Sequence, residues 1–225
     1  MRTNQDYKND ALKALSGNWA HAVIAAIVMM LLSSLLISPS YINSYSNALN
    51  LGLLVPGYVV YGGGLLIMFI LYPLLTGFNN SFRVLYETGD NRLTANTFHL
   101  GFSNWLHVSL GMIVCYLYIV LWSLLFVIPG IIKAFSYAMT PYILVEHPEM
   151  SINQAIDESR RLMKGHKFDY FYLELSFIGW AILSSVFTLG IGFIWLIPYI
   201  STSAAAFYND LKNGESETPT PERVL

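Results

Sequence analysis

The stretch SRRLMKGHKFDYFYLELSFIGW, residues 159–180, carries a basic run directly into an apolar and aromatic run. In a soluble protein this pattern would indicate a surface helix followed by a core helix. In a membrane protein it is typical of a chain that leaves the cytoplasm and enters the bilayer. The composition favours the membrane, because 55% of the 225 residues are hydrophobic and only 12% are charged, about half the charged fraction of a soluble domain.

Apolar stretches recur along the chain, and several approach the roughly 20 residues that a membrane-spanning helix needs. The sequence therefore predicts an all-α, polytopic integral membrane helical bundle in a single domain, residues 1–212, built from six transmembrane helices in three hairpins. Residues 213–225 are polar and contain proline, so we expect a disordered cytoplasmic tail there. The predicted spans cover residues 19–37, 64–82, 105–128, 131–145, 170–189 and 191–208.

The distribution of Lys and Arg predicts the orientation of these spans. The segments before the first span and after the second, fourth and sixth spans are basic, whereas the loop at residues 38–63 carries no charge. With six spans the basic segments share one side, so both termini are expected in the cytoplasm. Lys133 is the exception, because it lies near the predicted outer turn at Pro129-Gly130. It is expected either to extend outward to water or to face a polar cavity.

A polar, partly amphipathic stretch precedes the first, third and fifth spans, and each stretch ends near a glycine: Gly17, Gly101 or Gly165. A glycine there suits a helix that must turn into the next helix. The pattern predicts three amphipathic helices on the cytoplasmic side of the membrane. The stretches around Pro73 and Pro198 also align, which favours an internal repeat. The alternative is that any hairpin membrane protein repeats a polar entry and an apolar run.

Several segments resemble a known family of bacterial integral membrane proteins, the domain-of-unknown-function 975 family. They are ALKALSGNW, FHLGF, IPGIIKAFSYAMTPYILVEHP, IWLIPYISTSAAAFY and the stretch quoted first. The resemblance covers nearly the whole chain apart from residues 38–63 and the tail. It implies a multi-pass protein of the bacterial inner membrane with no assigned activity and no catalytic residues to transfer.

The same family resembles, more remotely, the membrane region attached to some glycerophosphodiester phosphodiesterases. No additional soluble catalytic domain is expected in this chain, so that activity is not carried over. What remains from the resemblance is a location and an architecture.

A cluster of basic residues is the main candidate for contact with lipid head groups or with a partner. Each basic residue near an anionic membrane contributes about 1 kcal/mol to binding. The same residues also suit the simpler role of fixing the orientation of the spans. The cluster consists of Arg160, Arg161, Lys164, His166 and Lys167.

Glu174 and Lys133 are the candidates for a polar site inside the membrane. An ionisable residue within a span often marks a path for ions or substrates. Glu174 lies near the inner edge of its predicted span, however, where it could reach water or pair with Lys164 or Lys167. Both a structural and a functional role therefore stay open for it.

The sequence offers no catalytic, cofactor-binding or metal-binding pattern. The five histidines form no i, i+4 pair and do not accompany cysteines, so no zinc site is expected. No Gly-rich phosphate loop or nucleophile elbow is present. We therefore expect no enzymatic activity, no cofactor and no nucleic-acid partner. The expected partners are membrane lipids and either another membrane protein or a second copy of the chain.

Three functions are compatible with these observations. The first is a non-enzymatic scaffold that engages lipids or a partner through its interfacial helices. The second is a small transporter or permease whose path involves Glu174, Lys133 and a second span broken at residues 62–64 and Pro73. The third is an accessory subunit in lipid metabolism. The predicted spans contain few polar groups to line a path, which favours the scaffold.

Overall fold

The computed structural model describes residues 2–48 and 57–216, with side chains for residues 2–34 and 68–214. The described residues form ten helices and no strand, which confirms the predicted all-α class. The helices are α1 Asn4–Leu15, α2 Trp19–Ala48, α3 Gly57–Thr88, α4 Leu93–Phe102, α5 Trp105–Leu125, α6 Val127–Ser136, α7 Thr140–Glu146, α8 Ile152–Leu162, α9 Lys167–Phe187 and α10 Phe193–Ser216.

Three segments of the described chain are long and apolar enough to cross a membrane. They are α5, α9, and α6 together with α7 over Val127–Glu146. The pair α1 and α2, bent by 98°, passes the same test when the two helices are taken together. α9 leaves large apolar side chains uncovered, with Trp180 58% and Phe187 78% exposed. Continuous apolar surface of this kind is compatible with contact to lipid.

The order of helices repeats three times along the chain: a short helix, a bend, and then a long helix. The short helices are α1, α4 and α8, and each leads into α2, α5 or α9. Gly17 and Gly165 adopt positive φ angles of 80° and 89° at two of the bends, a conformation that glycine adopts without steric cost. The predicted turning role of the glycine is therefore confirmed at these two positions.

The corresponding prediction for Gly101 is wrong, because Gly101 lies inside α4 and serves close packing. A Cβ atom on Gly101 would lie 2.2 Å from the carbonyl oxygen of Pro73. A Cβ atom on Gly77 would lie 2.0 Å from the carbonyl oxygen of Thr97. α4 therefore packs lengthwise along α3. α4, which the sequence predicts to be an amphipathic helix on the cytoplasmic side, contacts α3 at Pro73 and Gly77.

Pro73 connects this packing to the position of α5. α3 runs without interruption through residues 62–64 and Pro73, but proline has no N–H group, so the carbonyl of Phe69 loses its helical donor. The Ser109 hydroxyl of α5 donates to that carbonyl at 3.1 Å. The start of α5 therefore lies beside Phe69, about 28 Å along the helix axis from Thr88.

The chain reverses between α5 and α6 at Phe126 (φ −157°, ψ 144°) rather than at Pro129-Gly130 as predicted. Pro129 lies in the first turn of α6, where a missing N–H group breaks no helical hydrogen bond. A Cβ atom on Gly130 would lie 1.9 Å from the Ser123 hydroxyl oxygen. The glycine thus allows close packing of the two helices instead of forming the turn.

The position of this reversal also differs from the six-span prediction. Ile128, next to the turn, and Phe168, in the first turn of α9, line the same groove. In the six-span arrangement these residues would lie at opposite faces of the membrane. The middle hairpin therefore turns at the end of the molecule where α9 begins.

The first and last described helices meet at one end of the molecule. The Tyr7 hydroxyl of α1 donates to Asp210 of α10 at 2.6 Å, and the Tyr7 ring packs edge-on against Phe207 at 5.2 Å. α10 continues to Ser216, so the start of the predicted tail at residue 213 is helical. Residues 217–225 of that tail, and residues 49–56 of the uncharged loop, lie outside the described residues.

We predict that Gly77→Ala destabilises the protein whereas Gly179→Ala does not. The new Cβ at Gly77 would meet backbone of α4, while a Cβ at Gly179, also within a helix, meets nothing within 4 Å. Overpacking of this kind costs about 1–3 kcal/mol, whereas alanine in an open helical position gains up to about 1 kcal/mol. Thermal unfolding in detergent measures both; equal melting temperatures would contradict the close α3–α4 packing.

Candidate functional site

An open pocket of about 360 Å³ lies between α6, α8 and the start of α9. Five basic side chains and one carboxylate line it, so it carries an excess of positive charge. Such an excess attracts anions and concentrates them near the surface. The lining residues are Lys133, Ser136, Asp157, Arg160, Arg161, Lys164 and Lys167. We call this the basic pocket.

α8 is fixed against the α6–α7 junction through one buried serine. Ser159 is fully buried; its hydroxyl donates to the carbonyl of Ser136 at 3.0 Å and accepts from the N–H of Met139 at 3.2 Å. Ile156, one turn earlier, is buried in the same direction. Because this face of α8 is buried, the arginines of α8 remain on the side that lines the basic pocket.

Described carboxylates pair with the two arginines of α8, but not with the lysines Lys164 and Lys167. Arg160 pairs with Asp157 at 2.6 Å, and Arg161 donates to Glu158 at 2.9 Å. The hydrogen bonds from Arg161 lower the pKa of Glu158. Among the side chains that the structure describes, Lys164 and Lys167 form no ion pair within 4 Å.

Lys133 completes the positive side of the pocket from α6. Its ammonium lies 4.6 Å from the ring centre of Trp122, a cation–π contact that leaves the charge unneutralised. Lys133, predicted either to extend outward to water or to face a polar cavity, lines the basic pocket. The reason is the reversed middle hairpin, which brings α6 beside α8.

A second, apolar cavity of about 350 Å³ adjoins the basic pocket between α6 and α9. Its walls are aliphatic and aromatic, and several of its side chains are largely exposed, such as Ile128 at 71% and Phe168 at 74%. Lys167 lines both cavities. The lining residues are Ile128, Ile131, Ile132, Phe135, Lys167, Phe168 and Phe171. We call this the apolar groove.

The remaining predicted site residues lie elsewhere. His166 precedes the first residue of α9 and lies 3.3 Å from Asp169. It is not among the residues that line the basic pocket. Glu174 lies on α9 one turn beyond Tyr170. It does not line the pocket that contains Lys133. The structure thus assembles four of the five cluster residues with Lys133 and leaves Glu174 apart.

A second group of charges, not predicted from the sequence, lies where α3, α7 and α10 meet. Arg83, only 7% exposed, pairs with Glu87 at 2.8 Å and lies 3.8 Å from Glu146. Glu146 also accepts from the Tyr208 hydroxyl at 2.6 Å and pairs with Lys212. Two cations and two carboxylates therefore compensate each other. We call these five residues the charge network.

Only part of the charge network could have been found in the sequence. Arg83 and Glu87 are four residues apart, the spacing at which opposite charges pair on one helix. Glu146 and Lys212 are far apart in sequence and meet only because the ends of α7 and α10 converge. An amide contact strengthens the same junction, since Asn80 donates to the carbonyl of Pro141 at 3.0 Å.

The fold and the two cavities define a helical protein with membrane-compatible helices, a basic pocket and an adjoining apolar groove. Residues 93–215, more than half of the chain, match the family described as "Protein of unknown function (DUF975)". The chain belongs to this family, which confirms the resemblance noted in the sequence. The match runs from α4 to α10 and includes both cavities. No curated protein matches the chain, and no solved structure matches it either.

We predict that Glu146→Gln lowers the free energy of unfolding by about 1.5–3 kcal/mol, because Tyr208 and Lys212 lose a charged hydrogen-bond acceptor. Glu149→Gln is the matched control. Its carboxylate is 67% exposed and pairs only with His147 among the described side chains, so a change within about 0.5 kcal/mol is expected. Thermal unfolding in detergent measures both variants. Similar small losses in the two variants would show that the charge network does not hold the helices together.

Proposed function

We propose that this protein is a non-enzymatic integral membrane protein whose basic pocket binds the anionic head group of a lipid at the inner leaflet. The observation that carries the proposal is the convergence of Lys133, Lys164 and Lys167 in one open pocket, with no described carboxylate paired to the last two. Ammonium groups of this kind form charge-assisted hydrogen bonds with phosphate oxygens. A scaffold that gathers anionic lipid or presents it to a partner is the resulting role.

We further propose that α2–α3 and α9–α10 cross the membrane as hairpins and that α4–α7 insert between them from the cytoplasmic side. The contact of Tyr7 with Asp210 supports termini on one side, and the excess of Lys and Arg at that side supports a cytoplasmic location. The shared groove of Ile128 and Phe168 supports a middle hairpin that turns at the inner leaflet. This arrangement replaces the six complete spans predicted from the sequence.

The geometry gives less support to the transporter alternative. Glu174 and Lys133, the two residues proposed for a path, do not line a common cavity among those described. The second span is a continuous helix rather than a broken one, whereas transporter sites are typically formed where helices are interrupted. A role in lipid metabolism remains compatible with a lipid-binding pocket, but it would require a partner that supplies the chemistry.

The topology can be tested by labelling single cysteines in intact cells with a membrane-impermeant maleimide. In a Cys115→Ala background, we expect Ile191→Cys, in the turn between α9 and α10, to react from outside. Neither Glu149→Cys nor Phe126→Cys should react with the maleimide in intact cells. Each should react only after the cells are opened, or not at all if lipid shields the cysteine from the reagent. Labelling of Phe126→Cys from outside would instead restore the six-span arrangement, and labelling of Glu149→Cys from outside would refute the cytoplasmic location of the pocket.

The lipid proposal predicts that Lys133→Gln/Lys164→Gln weakens binding of dioleoyl phosphatidylglycerol. Each charge contributes about 1 kcal/mol near an anionic head group, so the double variant should bind about 30-fold more weakly. Titration of the detergent-solubilised protein followed by native mass spectrometry gives the Kd.

The matched control for this experiment is Lys13→Gln/Arg92→Gln, which removes the same number of charges from side chains that are 80% and 75% exposed. Its affinity should stay within about threefold of the wild type. If both double variants lose affinity equally, the effect is one of net charge and the basic pocket is not the binding site.

A further inference from the structure

We infer that the basic pocket and the apolar groove together form a single site for one long-chain anionic lipid, with its phosphate in the pocket and an acyl chain along the groove. This inference rests on the proposed function and adds the ligand class that the site selects. A soluble phosphate compound would use only the pocket, and a neutral lipid would use only the groove. The site as a whole is complementary to a molecule that has both parts.

Lys167 is the residue that joins the two cavities. It lines the pocket beside Lys133 and also lines the groove beside Phe168. A lysine has an apolar four-carbon stem and a terminal ammonium, so it can line an apolar surface with the one and an anion site with the other. A phospholipid has the same division between chain and phosphate. The change from basic to apolar lining at Lys167 therefore matches the change from phosphate to acyl chain in a phospholipid.

The groove has two facing walls, a form that suits an acyl chain better than an open lipid-facing surface would. Its two walls come from different helices, with Ile128, Ile131 and Ile132 on α6 and Phe168 and Phe171 on α9. Phe135 closes the groove between them by packing edge-on against Phe171 at 5.6 Å. A chain in this cleft contacts protein on two sides, and each buried methylene contributes about 0.8 kcal/mol.

The charge around the site agrees with this ligand. The groove contains Lys167 as its single charged lining residue within the described part of the chain, whereas the pocket contains five basic residues and one acid. A zwitterionic lipid would also bring a cation close to Lys133 and Arg160, so it would be attracted less strongly than an anionic lipid. The geometry thus favours a lipid whose head group has a net negative charge.

The experiment compares three probes on the full-length protein in detergent: dioleoyl phosphatidylglycerol, dioleoyl phosphatidylcholine and sn-glycerol 3-phosphate. Native mass spectrometry gives the Kd of each lipid, and isothermal titration calorimetry gives that of glycerol phosphate. For the wild type we expect phosphatidylglycerol to bind at least about tenfold more tightly than either other probe.

Ile131→Trp fills the groove, and Ile178→Trp is its matched control on the exposed surface of α9. The two isoleucines are 51% and 50% exposed, but only Ile131 lines the groove. We expect Ile131→Trp to weaken phosphatidylglycerol about tenfold and to leave glycerol phosphate within about twofold, since the pocket is unchanged. Phe168→Gln provides a second groove variant, and its side chain is exposed enough for the fold to tolerate the change.

The possible results separate this inference from the proposed function. If the groove variants and Ile178→Trp have the same effect while Lys133→Gln/Lys164→Gln weakens phosphatidylglycerol, the head-group site stands and the chain site is refuted. If the lysine variant leaves all probes unchanged, the basic pocket is not an anion site and both proposals fail. Equal affinity of the wild type for phosphatidylglycerol and phosphatidylcholine would refute selection of an anionic lipid.

Discussion

The pairing of buried charge at the junction of α3, α7 and α10 is the constraint on which the arrangement of the helices depends. A charge removed from water is tolerated only when opposite charges and hydrogen bonds surround it. Arg83 is nearly inaccessible, and its partners come from its own helix and from the end of α7. Lys212 joins the same carboxylate from α10. Because the Glu146 carboxylate contacts cations from both other helices, the charge network links the ends of all three.

This constraint explains why the local features could be predicted from the sequence and the arrangement could not. Hydrophobic runs, polar entries and the turning glycines Gly17 and Gly165 are local, and the structure has them where the sequence indicates. The partnership of Glu146 with Lys212 is not local, because it depends on how the helices converge. The position of Lys133 is not local either, because its neighbours in the basic pocket come from α8, more than 20 residues later in the chain.

In the middle segment, a few small residues determine packing that a hydropathy pattern does not describe. Length and apolarity alone favour a span for α5 and another for α6 with α7. Gly77 and Gly101, however, let α4 approach the backbone of α3, and the carbonyl left free by Pro73 accepts from Ser109. These contacts set the start of α5 beside Phe69. Hydropathy records the cost of exposing a segment to water, but it does not record which backbone surfaces can come close enough to pack.

Charges are paired in the charge network, whereas the lysines of the basic pocket have no described ion pair. This difference favours a ligand in the pocket. In the network every described ion has a counter-ion within 4 Å. In the pocket, the described contacts of the Lys133 ammonium are with the rings of Trp122 and Tyr137, and Lys164 and Lys167 have no described ion pair. Like charges that converge repel one another, and the pocket holds five basic residues against one acid. An anion that enters the pocket relieves the repulsion, and the adjoining groove determines which anion gains most from entering.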